Sequence, residues 1–125
     1  MPQPIIEDTI SLQAFLDLLK TNQGLIILKF GAEWCGPCKK IEQQVYAGFN
    51  QMPMNVQPII VDVDDSFELY AFLKSKKMVK SIPTLLCYEK GNVSYVPDHV
   101  VVGANVDEIN TFFQECFNKA KDLLH

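Results

Sequence analysis

Two cysteines separated by two residues, Cys35 and Cys38, are the side chains of this sequence best suited to chemistry. The residues between them are Gly36 and Pro37, and a proline fits the first turn of a helix. Two thiols at this spacing can close a small disulfide, and the unpaired N–H groups at a helix start favour the thiolate over the thiol. We therefore expect a redox pair in which the pKa of Cys35 falls below about 8.5, so that Cys35 attacks and Cys38 resolves the mixed disulfide.

A Cys-x-x-Cys pair is also half of a structural zinc site, which needs four ligands. The other candidates are Cys87 and Cys116, which lie in apolar segments, and His99 and His125, which have no paired spacing. We therefore expect neither a metal nor another cofactor. In a reducing compartment, cysteines in apolar segments such as these two are small buried hydrophobes.

Length and composition limit the class of protein. A chain of 125 residues with 48% hydrophobic content is expected to fold as one domain, residues 1–125. A net charge of −4 does not attract a phosphate backbone or an anionic bilayer, so no nucleic-acid or membrane partner is expected. The N-terminus has no basic stretch followed by an apolar one, and no apolar run approaches the ~20 residues that span a bilayer. We expect a cytoplasmic monomer.

The pattern of apolar residues predicts the elements that position the cysteines. Helical periodicity predicts four helices. The first covers 12–20 with Ser11 as its cap, and the second extends from the cysteine pair to Met52. The third is capped by Asp65 and ends at 74–77, and the fourth follows Asn105. Predicted strands are 25–30, 56–63, 84–88 and 93–96, the last two forming a hairpin, with 97–99 interrupting the second strand before 100–102. The order βαβαβαββα predicts an α/β fold with a mixed sheet of about five strands flanked by four helices.

Lys29 ends the apolar run of a strand that should be buried on both faces. An ammonium there is costly unless it finds a partner. Three interpretations are open. Lys29 pairs with Glu42, one turn beyond Cys38; or it lies beneath Cys38 and stabilises the thiolate or accepts its proton; or a local bulge turns it to solvent.

Three segments of the chain resemble the thioredoxin family. Trp34-Cys35-Gly36-Pro37-Cys38-Lys39 is similar to the family's active-site motif, Ile82-Pro83-Thr84 to its cis-proline segment, and Val102-Gly103-Ala104 to its substrate-facing glycine loop. All three occur in the family's order, and the resemblance extends from about Ile5 to Leu123.

This resemblance implies a thioredoxin fold and a protein-disulfide reductase. Cys35 would attack a substrate disulfide and Cys38 would release the reduced product, while a cis Pro83 would bring the backbone of Ile82 beside the sulfurs. The flat apolar rim that meets the substrate would consist of Trp34, Gly36, Pro37, Ile82, Gly103 and Ala104. The partners would be disulfide-containing proteins, with a thioredoxin reductase or glutathione as electron donor.

The chain also departs from the family pattern. Lys29 stands where thioredoxins usually carry a buried aspartate, Ile60 where they often carry a lysine, and Gln43 where they carry a kinking proline. The segment between Gly91 and Gly103 is longer than is typical. These departures leave two alternatives to the reductase: a more oxidising oxidase or isomerase, and a binding module that presents the rim to a dedicated partner protein.

Overall fold

The computed structural model describes residues 1–124. The helices are α1 (Leu12–Lys20), α2 (Gly36–Lys40), α3 (Glu42–Asn50), α4 (Phe67–Ser75) and α5 (Val106–Asp122), and the strands are β1 (Leu25–Gly31), β2 (Val56–Asp62), β3 (Thr84–Glu89) and β4 (His99–Val102). Within this part of the chain, no helix is both long and apolar enough to cross a membrane.

The four strands form one mixed sheet in the order β2-β1-β3-β4, with β1 parallel to β2 and the other two pairs antiparallel. The predicted α/β architecture is confirmed, but residues 1–124 contain four strands rather than about five. The expected first strand is reduced to one bridge between Ile6 and Ile59. Pro2 and Pro4 lack the N–H donors that a longer strand would need.

The predicted second strand of the hairpin, 93–96, is wrong: β4 begins only at His99. Side chains bind the backbone of the intervening loop. Asn92 Nδ2 donates to the Val96 carbonyl at 2.9 Å, and Asp98 Oδ2 accepts from the Glu89 N–H at 2.7 Å. These bonds replace the strand ladder that the apolar pattern of 93–96 predicted.

The single helix expected from the cysteine pair to Met52 is two helices, so residues 1–124 contain five helices rather than four. The break falls at Ile41, where φ is −106° and ψ is 4°. It occurs although Gln43 replaces the family's proline. The expected cap of α4 is also wrong: Ser66 is the N-cap residue, and its Oγ accepts from the Ile10 N–H at 2.9 Å instead of capping the helix.

The sheet separates two apolar clusters. One lies between the sheet and helices α3 and α5, and the other between the sheet and helices α1 and α4. Side chains of β1 alternate between them, so Leu25 and Ile27 face α3 and α5. Lys29 follows on the same face, toward α3, and is the one residue of β1 that is not fully buried. The core thus holds a lysine against the helix that follows the cysteines.

Candidate active site

Cys35 and Cys38 form a disulfide at the start of α2, just after the end of central strand β1. Cys35 is the N-cap residue, and its Sγ accepts from the Cys38 N–H at 3.2 Å. Pro37 lies in the first turn, as its type predicts. Both cysteines are buried, Cys35 with 5% and Cys38 with 2% of its surface exposed, so Cys35 is the more accessible sulfur.

The Ile82–Pro83 peptide bond is cis and lies against the disulfide. The Ile82 carbonyl oxygen is 4.0 Å from Cys35 Sγ. The Gly103 N–H donates to the Pro83 carbonyl at 2.8 Å, which ties the glycine loop to the same point. The three segments singled out in the sequence therefore meet at Cys35, although they are far apart along the chain.

The side chain of Trp34 is 69% exposed beside the disulfide, and its indole Nε1–H donates to Asp64 Oδ2 at 2.8 Å. Gly36 and Pro37 are exposed, while Gly103 is half-buried with a φ of 92°, which only glycine adopts readily. Ile82 and Ala104 are half-buried, and Pro83 is buried. Sequence reasoning missed the role of Asp64, because no pattern in the sequence pairs it with Trp34.

Lys29 and Cys38 meet at Gly31. A Cβ built on Gly31 would lie 2.7 Å from Lys29 Nζ and 3.3 Å from Cys38 Sγ. Lys29 also keeps regular register with Ile60 and Leu85, so the bulge that would turn it to solvent is absent from β1. Of the three interpretations, a lysine next to the resolving cysteine fits this geometry.

The direct ion pair between Lys29 and Glu42 is not formed: the two salt bridges found in residues 1–124 both involve Glu89. Burial lowers the pKa of Lys29, and the charges of Glu42 and Asp62 only partly oppose this. The amine is therefore less costly to deprotonate than that of an ordinary lysine.

A cleft of 340 Å³ is lined by this lysine and by Cys38. Its walls include five carboxylates, those of Glu7, Glu33, Glu42, Asp62 and Asp65. The Tyr46 hydroxyl also lies there and donates to Glu7. This hydrogen bond, together with burial, raises the pKa of Tyr46 to about 12. The cleft gives water access to the neighbourhood of the resolving sulfur.

Cys87 and Cys116 form no disulfide and are fully buried, as the sequence predicted. They belong to the same apolar cluster, one from β3 and one from α5. A hydrogen bond with Cys116 raises the pKa of Cys87 well above its usual value, and burial adds to the effect. Within residues 1–124, no group of three or more His, Cys, Asp or Glu side chains is arranged to hold a metal ion; His125 lies outside the described residues.

A mixed sheet that places a Cys-x-x-Cys disulfide at the end of its central strand, against a cis-proline, defines a dithiol–disulfide oxidoreductase. The family model for Thioredoxin matches residues 8–115. Because this match covers most of the chain, the protein belongs to the thioredoxin family. Family and site together make it a thiol–disulfide oxidoreductase of the protein-disulfide reductase type.

Individual proteins similar to this chain are also thioredoxins. Thioredoxin 3 of Plasmodium falciparum is 34% identical over 102 residues, 81% of this chain, and the chain spans only 53% of that protein. The structure of Trichomonas vaginalis thioredoxin is similar with a TM-score of 0.71 and 28% identity, over 90% of this chain and 96% of that one. A crystal structure of a Plasmodium falciparum thioredoxin gives a TM-score of 0.66 and 30% identity, over 92% and 91%.

Proposed function

We propose that this protein reduces disulfides of other proteins by dithiol–disulfide exchange. The Cys35 thiolate attacks a substrate disulfide, forms a mixed disulfide and expels the first substrate thiolate. Cys38 then attacks Cys35 Sγ and expels the second. The substrate gains two electrons and two protons, and the protein is left with its Cys35–Cys38 disulfide. The observation that carries the proposal is this disulfide beside the cis Ile82–Pro83 bond.

The exposed surface around Cys35 binds the substrate as an extended segment. The Ile82 carbonyl lies 4.0 Å from Cys35 Sγ, which supports hydrogen bonds between the backbone of Ile82 and that of the substrate. Trp34, Gly36 and Pro37 on one side, and Gly103 and Ala104 on the other, complete the rim. None of the rim side chains carries a charge, which suits many protein partners.

Lys29 acts on the second half of the reaction. Its ammonium beside Cys38 stabilises the thiolate that must attack the mixed disulfide, and the neutral amine accepts the Cys38 proton. The shared position of the two side chains at Gly31 and the lowered pKa of Lys29 support this role. Because thiolate stabilisation favours the reduced protein, the pair is more oxidising than it would be without the lysine.

The cell supplies the electrons through a thioredoxin reductase or through glutathione. A cytoplasmic setting suits this role, because a reducing compartment keeps the Cys35–Cys38 pair supplied with electrons. Residues 1–125 act as a single domain and as a monomer, with the rim open to the substrate. Adding thioredoxin reductase or glutathione separately to a disulfide-reduction assay identifies the donor that sustains turnover.

Catalytic reduction of insulin tests the function. We expect multiple turnovers by the wild type and none by Cys35→Ser. Stable binding of partner proteins without turnover would instead favour the binding module. Equilibration of the Cys35–Cys38 pair with glutathione gives its reduction potential, and a value near about −120 mV, that of a strong oxidant, would favour the oxidase or isomerase.

A further inference from the structure

The outer edge of β4 has no neighbouring strand within residues 1–124, because β4 is the last strand of the sheet. The Gly103 N–H donates to the Pro83 carbonyl at 2.8 Å. Since hydrogen-bonding residues alternate along an antiparallel pair, the backbone groups of Val101 also point to β3. Those of Val100 and Val102 therefore point to the free edge, where an added strand would pair with them.

The edge of β4 is short but carries no lysine or proline that would block pairing. Sheet edges are commonly blunted by lysine or proline, whereas β4 reads His99-Val100-Val101-Val102. The side chains of Val100 and Val102 are 49% and 50% exposed. The edge thus offers both unpaired backbone groups and apolar side chains to an extended segment.

A groove of 540 Å³ runs alongside this edge, between β4 and the first half of α5. Val101 and Phe112 line it, and so do the carboxylates of Asp107, Glu108 and Glu115. No lysine in residues 1–124 lies within ion-pair distance of these three acids. Asp107 and Glu108 lie in the first turn of α5, where negative charges stabilise the helix. Glu115 lies in the middle of α5 and has no such role. The groove is therefore complementary to a positive charge.

The edge is continuous with the substrate rim. β4 ends at Val102, and the next two residues are Gly103 and Ala104 of the rim. A segment paired with β4 consequently runs toward Cys35.

We propose that the outer edge of β4 binds, as an added strand, an extended basic segment that flanks the target cysteine of the substrate protein. The proposal rests on the reductase function and specifies its substrates: disulfide proteins with lysine or arginine in an extended stretch next to the reactive cysteine. A second copy of this chain is a poorer occupant, because it would bring the same three carboxylates to the interface.

Hydrogen exchange tests the strand directly. The probe is an eight-residue peptide with alternating lysine and valine and without cysteine, so that turnover plays no part. We expect it to slow exchange of the Val100 and Val102 amides and to leave the Val101 amide, already bonded to β3, unchanged. Equal exchange with and without saturating peptide would overturn the proposal, and so would protection confined to residues outside β4.

Kinetics test the charge preference. Two peptides with the same disulfide carry either lysine or glutamate in the flanking stretch. We expect kcat/KM for the basic peptide to be about five times higher at low salt, as for a few exposed charge pairs, with the difference lost near 1 M salt. Glu115→Lys should sharply reduce the preference, because it leaves two of the three carboxylates and adds a cation, whereas Asp122→Lys, the same charge change at the other end of α5, should not.

Val100→Pro tests the backbone pairing, because it removes an N–H that points away from β3. We expect the advantage of the basic peptide to fall to near one, and Val100→Thr, which keeps the N–H, to retain it. Equal kcat/KM for both peptides in the wild type would reject the β4 site and leave the reductase intact. Failure to reduce either peptide or insulin would reject the reductase, and the exchange experiment would still decide on the strand.

Discussion

Lys29 Nζ and Cys38 Sγ lie against the same face of Gly31, within 2.7 Å and 3.3 Å of the position that a Cβ would occupy there. The lysine comes from β1 and the cysteine from α2. The amine is thus next to the sulfur that ends each catalytic cycle, while Cys35 is in contact with Ile82 on the rim. This division predicts separate effects on the two half-reactions.

Lys29→Met should slow resolution of the mixed disulfide and leave the attack by Cys35 nearly unchanged. Loss of the cation raises the pKa of Cys38. At pH values below that pKa, a rise of one unit lowers the thiolate fraction about tenfold. Stopped-flow measurement of both steps against pH checks this. Lys29→Arg keeps the charge and should keep most of the rate. A resolution profile in Lys29→Met identical to that of the wild type would exclude the catalytic role.

The same substitution should make the fold more stable at neutral pH, by about 1 kcal/mol, because a methionine has no desolvation penalty in this position. The pKa of Lys29 is lowered from 10.5, so the unfolded chain binds more protons than the folded one between the lowered value and 10.5. The stability gap between Lys29→Met and the wild type should therefore narrow as the pH rises across that range, while the raised pKa values of Cys87 and Tyr46 act on both proteins alike. Urea unfolding of the oxidised proteins measures both effects.

The exposed Lys20 provides the control for this stability experiment. Lys20→Met should change the free energy of unfolding little at any pH. A loss of stability in Lys29→Met would instead show that the lysine forms an ion pair with a carboxylate such as Glu42, which would contradict the geometry described above.

Only Cys35 should react quickly with a bulky alkylating reagent in the reduced native protein. Cys87 and Cys116 are fully buried, and the pKa of Cys87 is raised, so little thiolate is available there. Mass spectrometry after timed labelling gives the order of reaction. Labelling of both buried cysteines should require denaturant; reaction of Cys87 as fast as Cys35 would disprove its assignment as an inert core residue.

Asp64→Ala should release the Trp34 indole and raise KM for protein substrates about fivefold, the equivalent of roughly 1 kcal/mol for an exposed charge-assisted hydrogen bond. Trp34 is the single tryptophan of the sequence, so its fluorescence reports the change directly. Asp65→Ala, one residue away, is the matched control. Unaltered fluorescence and KM in Asp64→Ala would mean that the bond does not position the indole.

Short segments with strong local signals were predictable. Ser11 caps α1 through its bond to the Ala14 N–H, as its type and position indicated. The cysteine pair was marked by its own residue types and spacing, whereas the cis Ile82–Pro83 bond and the glycine loop were expected from the resemblance to the thioredoxin family. Their meeting point followed from resemblance to a family, since spacing along the chain does not encode it.

Features that depend on tertiary contacts were not predictable. The apolar pattern of 93–96 suits a strand, but the amide of Asn92 binds the Val96 carbonyl and the carboxylate of Asp98 binds the Glu89 N–H. Ser66 is drawn away from capping α4 by the N–H of Ile10, which is distant in sequence. The Trp34–Asp64 bond and the contact between Cys87 and Cys116 likewise join elements that no local periodicity relates.

The close approach at Gly31 links the residues that can stand at two positions of this chain, 29 and 31. An alanine at residue 31 would put a methyl group 2.7 Å from Lys29 Nζ, and the flexible end of the lysine, not the backbone, would give way. Such a descendant would keep its disulfide and its rim but lose the cation beside Cys38. Lineages that retain the lysine should therefore retain glycine at 31, and lineages that replace the lysine with a shorter residue are free to accept alanine. Sequence divergence at these two positions would record which descendants still use the amine.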